Sequence, residues 1–236
     1  MKRTTLILAA AVLVAACSDS TSPGNRPAVS LSFAARAATG AAPVSPGLSM
    51  SPADEILTDG QNNVLVITKA EVVLREIELK RVETIDCDAL EPDDDECEKF
   101  ETAPILLSLP LNGVIEQDTA IFVPAGMYDE IEFEIHKVSN DDPEDAAFRS
   151  AHPDMVGKSI RVQGSYNGQP FTYETDLNVE QEFDLSPPVV VTAEMTSTNV
   201  TVLLGVDSWF RDGSGNLINP QDGNKGGQHE SLVKEN

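Results

Sequence analysis

The chain has 236 residues, a formal net charge of -23 and a hydrophobic content of 41%. This hydrophobic content is too high for an intrinsically disordered chain, and the length suffices for one sizeable core or two small ones. A surface this acidic repels nucleic acid and anionic lipid headgroups, so we expect no nucleic-acid partner and look instead to cations and basic partners.

The N-terminus has the features of an export signal. Lys2 and Arg3 precede an apolar run over residues 6–16, which is shorter than the roughly 20 residues that a membrane-spanning helix needs. The stretch "LVAAC" resembles a bacterial lipobox, in which the cysteine thiol takes a diacylglycerol and cleavage precedes that cysteine. We therefore predict a signal peptide over residues 1–16 and lipidation of Cys17. An ordinary signal peptide with an incidental cysteine is the alternative.

The residues after the signal indicate where the protein resides. The lipid on Cys17 would make the membrane a partner, and residues 17–27 form a polar tether containing Pro, Gly and Ser. By analogy with sorting rules in some Gram-negative bacteria, an aspartate after the cysteine favours the inner membrane. Ser18 stands there instead. We expect a lipid anchor in the bacterial cell envelope, at the outer membrane rather than the inner one.

The first half of the domain predicts strands. Val29, Leu31 and Phe33 alternate with small or polar residues, which indicates a first strand. Residues 64–83 contain good helix formers, yet their apolar and charged residues alternate at Ile77 and Leu79. We favour two strands or one long bulged strand there over a helix. The segment "APILLSLP" predicts a short buried strand.

Two cysteines remain once Cys17 is assigned to the lipid. Cys87 and Cys97 flank the acidic loop "CDALEPDDDEC", and an even pair in an oxidising compartment predicts a disulfide. A bridge over a loop of this size contributes about 2 to 3 kcal/mol. Metal binding by the two thiols is the alternative, but no further cysteine or nearby histidine completes a tetrahedral site.

The strongest pattern of the chain lies over residues 130–136. Its apolar residues point one way and its charged residues the other, which is typical of a half-buried antiparallel strand. The apolar set is Ile131, Phe133 and Ile135, and the outward set is Glu130, Glu132, Glu134 and His136. A tight turn at Pro124-Ala125-Gly126 precedes this strand.

The second half of the domain continues in strands. Asn167-Gly168 is the favoured pair for a two-residue hairpin turn between "SIRVQGSY" and "QPFTYETDL". Three more strands are predicted in "VEQEFDL", "PPVVVTAEM" and "TNVTVLLGV". Regular short strands with turns between them predict an all-β antiparallel sandwich over residues 28–211, of the immunoglobulin-like kind. Residues 212–236 are predicted to form a C-terminal loop and the start of a helix.

These motifs carry a family resemblance. The strand "VPAGMYDEIEFEI", the hairpin "YNGQPFTY" and the late "SWFRDGSGNLINP" resemble a family of bacterial lipoproteins with a domain of unknown function. The resemblance covers residues 28–220 and implies a transthyretin-like, or prealbumin-like, sandwich. The turn "PAGMY" also resembles the non-catalytic regulatory-like modules of carboxypeptidases. These motifs are structural, so the resemblance implies no catalytic residues.

One acidic loop offers candidate metal ligands. Asp207, Asp212, Ser214 and Asn216 place side-chain oxygens around glycines, and calcium takes six to eight oxygen ligands. The EF-hand template needs further acids and a closing glutamate, which "DGSGNLINP" lacks. A solvated loop or an Asx turn is the alternative, so calcium at this loop is the one cofactor that the sequence suggests.

The motifs favour a binding protein over an enzyme. There is no G-x-S-x-G motif, and with so many acids a pair of carboxylates carries little information. We predict a non-catalytic envelope lipoprotein that binds or scaffolds an envelope protein or glycan. The alternatives are a calcium-stabilised surface or adhesion module and, less favoured, a carboxylate-based hydrolase.

The anchor can be tested by metabolic labelling with radioactive palmitate. We expect wild-type protein to incorporate label and Cys17→Ala to lose it, because no other atom in the lipobox can carry the thioether. Cys87→Ser serves as the matched control and should keep the label. Label that persists in Cys17→Ala would contradict the assignment.

Overall fold

The computed structural model describes residues 28–35, 54–82, 103–111, 116–195 and 197–236. Within them the chain forms ten strands. They are β1 Ala28–Ala35, β2 Glu55–Thr58, β3 Val64–Arg81, β4 Ile105–Ser108, β5 Glu116–Phe122, β6 Gly126–Ile135, β7 Ile160–Tyr166, β8 Gln169–Thr175, β9 Val179–Val191 and β10 Ser197–Leu204. The predicted signal peptide, the tether, Cys17, Cys87 and Cys97 lie outside the described residues.

The strands form two sheets. A three-stranded sheet has the order β10-β1-β5, in which β1 runs parallel to β10 and antiparallel to β5. A seven-stranded sheet follows the path β8-β7-β3-β6-β9, and β2 and β4 also pair with β3. Every pairing in the larger sheet is antiparallel. The predicted all-β sandwich is confirmed, with one parallel pairing that the sequence did not indicate.

One hydrophobic core joins the two sheets. Leu31 and Phe33 of β1 belong to the same buried cluster as Ile67 and Phe133 of the larger sheet. The rings of Phe33 and Phe133 meet edge to face, with centroids 6.2 Å apart. The alternation of apolar residues along each strand therefore directs these side chains between the sheets, as the period of two requires.

Strand β3 pairs with four other strands of the larger sheet. Its first part pairs with β2 and β7, its middle with β4, and its last part with β6. Register shifts occur at three places, and at one of them Glu76 adopts a φ of +54°. Residues 64–81 thus form one long bulged strand, the second of the two arrangements expected above. Pairing along the whole strand overrides the helix propensity of its Ala, Leu, Glu and Lys residues.

The β7–β8 hairpin has the predicted turn. Asn167 and Gly168 have φ values of +49° and +79°, the left-handed conformation that a type I′ turn needs at both central positions. The side chain of Asn167 also accepts a hydrogen bond from the backbone N–H of Val64 at 2.8 Å. The turn is therefore tied to the start of β3.

Strand β9 corrects one prediction. The segments "VEQEFDL" and "PPVVV", predicted as separate strands, form a single strand of 13 residues. Its register against β6 shifts between the pairs Tyr128↔Val189 and Glu130↔Asp184. Pro187 and Pro188 lie within this irregular stretch, where the absence of a backbone N–H breaks no ladder hydrogen bond.

The C-terminal segment packs onto the sandwich. Three short α-helices are present in the described residues, α1 Ala146–Ala151, α2 Val206–Trp209 and α3 Glu230–Glu235, together with 3-10 helices at Pro153–Met155 and Pro220–Gly223. Leu217, Ile218 and Val233 are buried in the main core. Residues 212–236 therefore contribute to the same core as the strands.

Among the described residues, no helix has the length and apolar composition to cross a membrane.

Gly164 offers a test of the β3–β7 pairing. A Cβ at this position would lie 1.9 Å from the carbonyl oxygen of Val66, a backbone atom that cannot turn aside. We expect Gly164→Ala to lower the free energy of unfolding by about 3 kcal/mol, the upper end of the usual range for overpacking. Gly60→Ala, whose Cβ would have no neighbour within 4 Å, is the control. Equal urea midpoints for the two variants would refute the tight pairing.

Candidate functional site

The outer side of the β6–β9 pair carries an unusual row of acids. The register places Glu130 opposite Asp184, Glu132 opposite Glu182 and Glu134 opposite Glu180. Like charges directly opposite each other destabilise a sheet. These residues form a surface that we call the acidic face, and it consists of Glu130, Glu132, Glu134, Glu180, Glu182 and Asp184.

Strand β3 supplies cations to this face. Its register places Lys80 opposite Glu130, and the Lys80 Nζ atom lies 2.7 Å from Glu130 Oε1 and 2.6 Å from Glu132 Oε2. The Oε1 atom of Glu182 is 3.8 Å away. Burial alone would lower the pKa of Lys80, but its hydrogen bonds to Glu130 and Glu132 raise it. Lys80 therefore stays protonated at neutral pH.

Arg75 is the second cation and links the acidic face to a neighbouring loop. It lies opposite Glu134 and donates from Nε to Glu134 Oε2 at 3.0 Å. Its Nη1 donates to Asp142 Oδ2 at 3.0 Å, and its Nη2 lies 3.1 Å from Glu76 Oε1. Burial alone would lower the pKa of Arg75, but these carboxylates raise it.

The acids on β9 are not compensated to the same degree. Glu180, Glu182 and Asp184 are all exposed, and in the described part of the chain no ion pair reaches Glu180 or Asp184. Their strand pairs with β6 and is the outermost strand on its side of the larger sheet. The uncompensated negative charge of the acidic face therefore lies along a sheet edge.

Apolar side chains are exposed on the same strand. Val179 and Phe183 are each 37% exposed and Val190 is 50% exposed, while Met127, which pairs with Val190, is 48% exposed. Phe183 stacks on Phe133 of the core at a centroid separation of 5.5 Å. Strand β9 thus offers both apolar surface and acids to a partner.

The structure corrects the exposure predicted for His136. It follows β6 on the outward side, as the alternation predicts, but only 4% of its surface is exposed. Residues after β6 fold back over this side of the sheet, where Val138, Phe148 and Met155 pack with Val73 in a second, smaller core. The pattern of β6 alone could not reveal this cover, since the covering residues come later in the chain.

The His136 ring lies between two carboxylates. Its Nε2 is 2.9 Å from Oδ1 of Asp145, a fully buried residue whose Oδ2 accepts a hydrogen bond from the backbone N–H of Ser139. Its Nδ1 lies 3.5 Å from Glu134 Oε2 and has no hydrogen-bond partner. One nitrogen of a buried imidazole is therefore satisfied and the other is not.

The proposed calcium loop is organised by one of its own acids. Asp212 Oδ1 accepts hydrogen bonds from the backbone N–H groups of Ser214 and Asn216, and its Oδ2 accepts one from the Asn216 side chain at 3.1 Å. These bonds lower the pKa of Asp212. Asp207 lies in α2, and its Oδ1 is buried without a hydrogen bond. Calcium binding at Asp207, Asp212, Ser214 and Asn216 stays a prediction.

Sequence reasoning missed the approach of Asp142 and Asp145 to His136. Both aspartates lie in the loop "NDDPED", residues 140–145. The signal for the cover is the pair of apolar residues on either side of this loop, Val138 and Phe148, which need a surface on which to pack. Once they pack on Val73, the loop between them must lie against the end of β6.

A variant of Lys80 can measure how much the repulsion on the acidic face lowers the free energy of unfolding. We expect Lys80→Gln to lower the free energy of unfolding by about 0.5 to 1 kcal/mol at low salt, because the glutamates then repel each other uncompensated. The loss should shrink at about 1 M salt, where the Debye length is roughly 3 Å. Lys225→Gln is the matched control, since Lys234 stays paired with Asp176. Urea titrations that show the same loss at both salt concentrations would contradict the repulsion.

Comparison with protein-family models, with curated proteins and with solved structures finds no match for this chain. The resemblance to lipoproteins with a transthyretin-like domain therefore stays a prediction.

Proposed function

We propose that the protein is a non-catalytic lipoprotein of the bacterial cell envelope that binds a basic, extended segment of another envelope protein along β9. The proposal depends on one observation above all: three like-charged pairs across β6 and β9, with the β9 acids exposed. Cationic side chains of a ligand would relieve the repulsion between these acids. The relief would make the free energy of binding more favourable.

The geometry of β9 favours an extended ligand. It is 13 residues long and pairs with β6 alone among the described strands. An edge strand presents backbone N–H and C=O groups that an added strand can use, and its alternate side chains select the sequence of that strand. Lysine or arginine at every second position of the ligand would meet Glu180, Glu182 and Asp184.

The apolar residues of β9 supply the other half of the interface. Val179 and Phe183 lie on the side of β9 that faces the core, since they pair with Ile135 and Ile131. Apolar residues of the ligand, alternating with its basic ones, would cover these exposed side chains. Buried aromatic residues often dominate binding energy at such interfaces, which makes Phe183 the expected anchor.

A protein partner is favoured over a glycan. Sugar-binding faces usually present several exposed rings, but in the described part of the chain Phe183 is the only ring among the exposed large hydrophobic side chains. Trp209 packs against the core and Phe210 is fully buried. The position of the acids on an open sheet face also supports binding over hydrolysis, which requires carboxylates that enclose a substrate.

Binding can be tested with a synthetic peptide in which lysine and valine alternate, followed by fluorescence anisotropy. We expect the triple variant Glu180→Gln, Glu182→Gln, Asp184→Asn to bind about tenfold more weakly than wild type, because each lost charge pair contributes up to about 1 kcal/mol. A peptide in which aspartate replaces lysine should not bind.

The matched control removes three exposed acids outside the acidic face: Asp141→Asn, Glu194→Gln and Glu235→Gln. This variant has the same net charge as the first one and should bind the lysine–valine peptide nearly as well as wild type. Equal losses in the two triple variants would show that net charge alone attracts the peptide, and would refute a binding site on β9.

A further inference from the structure

A second group of residues, next to the acidic face, has the composition of a metal site. One ring nitrogen of His136 and one carboxylate oxygen each from Asp142 and Asp145 all lie within 4.8 Å of one another. Ligand atoms around a tetrahedral zinc ion are roughly 3.4 Å apart, given bond lengths of about 2.1 Å. Small side-chain movements therefore suffice to bring these three atoms to one ion.

The unsatisfied nitrogen of His136 supports this interpretation independently. Nε2 faces Asp145, whereas Nδ1 is buried, has no hydrogen bond and lies 3.5 Å from Glu134 Oε2. If Nε2 binds a metal, the proton of the neutral ring resides on Nδ1 and points at Glu134. This is the carboxylate–histidine–metal arrangement in which a second carboxylate orients the ligand ring.

Glu134 is held in place for that role. Its Oε2 accepts from Arg75 Nε at 3.0 Å, and its Oε1 accepts from Asn178 Nδ2 at 2.6 Å. A metal on Nε2 would therefore leave the Nδ1–H group aimed at a carboxylate oxygen whose position is already fixed.

The charge around His136 also favours a divalent cation. Carboxylates outnumber guanidinium groups around the ring, so its surroundings carry excess negative charge. The acids are Glu76, Glu134, Asp142, Glu144 and Asp145, and the bases are Arg75 and Arg149.

The position of Asp142 gives the site access from solvent. Its side chain is 29% exposed, while those of His136 and Asp145 are 5% and 0% exposed. An ion can therefore enter past Asp142 and displace its hydrogen bond to Arg75 Nη1, and Arg75 retains Glu134 and Glu76. A water molecule from this side can supply the fourth ligand of an open site.

We infer that His136, Asp142 and Asp145 bind a first-row divalent metal of the zinc type, through one nitrogen and two carboxylate oxygens. The imidazole favours such a metal over calcium and magnesium, which prefer oxygen ligands. A second group of acids, Glu130, Glu132 and Glu182, also has its oxygens close together. The ammonium group of Lys80 already lies among them, so we assign no metal to that group.

The experiment measures zinc binding to the full chain in detergent, with Zn²⁺ as the only added ligand. We expect one tightly bound Zn²⁺ per wild-type chain and a rise in Tm of about 5 to 10 °C at a hundredfold excess of Zn²⁺ over Kd. Asp142→Asn should weaken binding at least tenfold, and His136→Gln should abolish it. Glu182→Gln, in the other acidic group, is the matched control and should bind as wild type does.

A Co²⁺ spectrum and a cysteine variant distinguish metal binding at the inferred site from metal binding by cysteine. Co²⁺ should give d–d bands without thiolate charge-transfer absorption, and the variant Cys87→Ser, Cys97→Ser should keep the metal. If His136→Gln fails to fold, Asp142→Asn decides the outcome because Asp142 lies on a partly exposed loop. Wild-type protein that gains no stability from Zn²⁺, or binding unchanged in Asp142→Asn, would overturn the inference.

Discussion

Two cations on β3, Arg75 and Lys80, stabilise the outer face of the larger sheet. On this face β6 and β9 place carboxylates directly opposite one another. The two cations compensate the acids of β6 at distances of 2.6 to 3.0 Å. The acids of β9 receive less compensation, since Lys80 Nζ lies 3.8 Å from Glu182 Oε1. The outer face therefore has a gradient of charge compensation, from the middle of the sheet toward its edge.

The core imposes this arrangement. Ile131 and Phe133 must point between the sheets to join the main core, and in a strand this sends Glu130, Glu132 and Glu134 outward. A shift of one residue between β6 and β9 would exchange the two faces and expose the apolar row. The register that buries the core is thus the register that aligns the acids.

Much of the fold could be predicted from periodicity, because half-buried strands reveal their two sides in the sequence. This holds for β1, β6 and the Asn167-Gly168 hairpin. The parallel pairing of β1 with β10 joins residues that are far apart in the chain, and no local pattern encodes it. The burial of His136 and its approach to Asp145 depend in the same way on a later segment that folds back. The candidate sites arise from such long-range packing, and this is why the individual acids, but not their grouping, could be identified beforehand.

The position of β1 has a mechanical consequence. This strand directly follows the segment that we assign to the tether, and it lies between β10 and β5, hydrogen-bonded along both sides. If a pull on the chain before Ala28 acts along the axis of β1, the bonds on both sides share the load as shear instead of opening one after another. A protein held to a membrane by its N-terminus would thereby keep its fold under tension from a partner bound elsewhere on its surface.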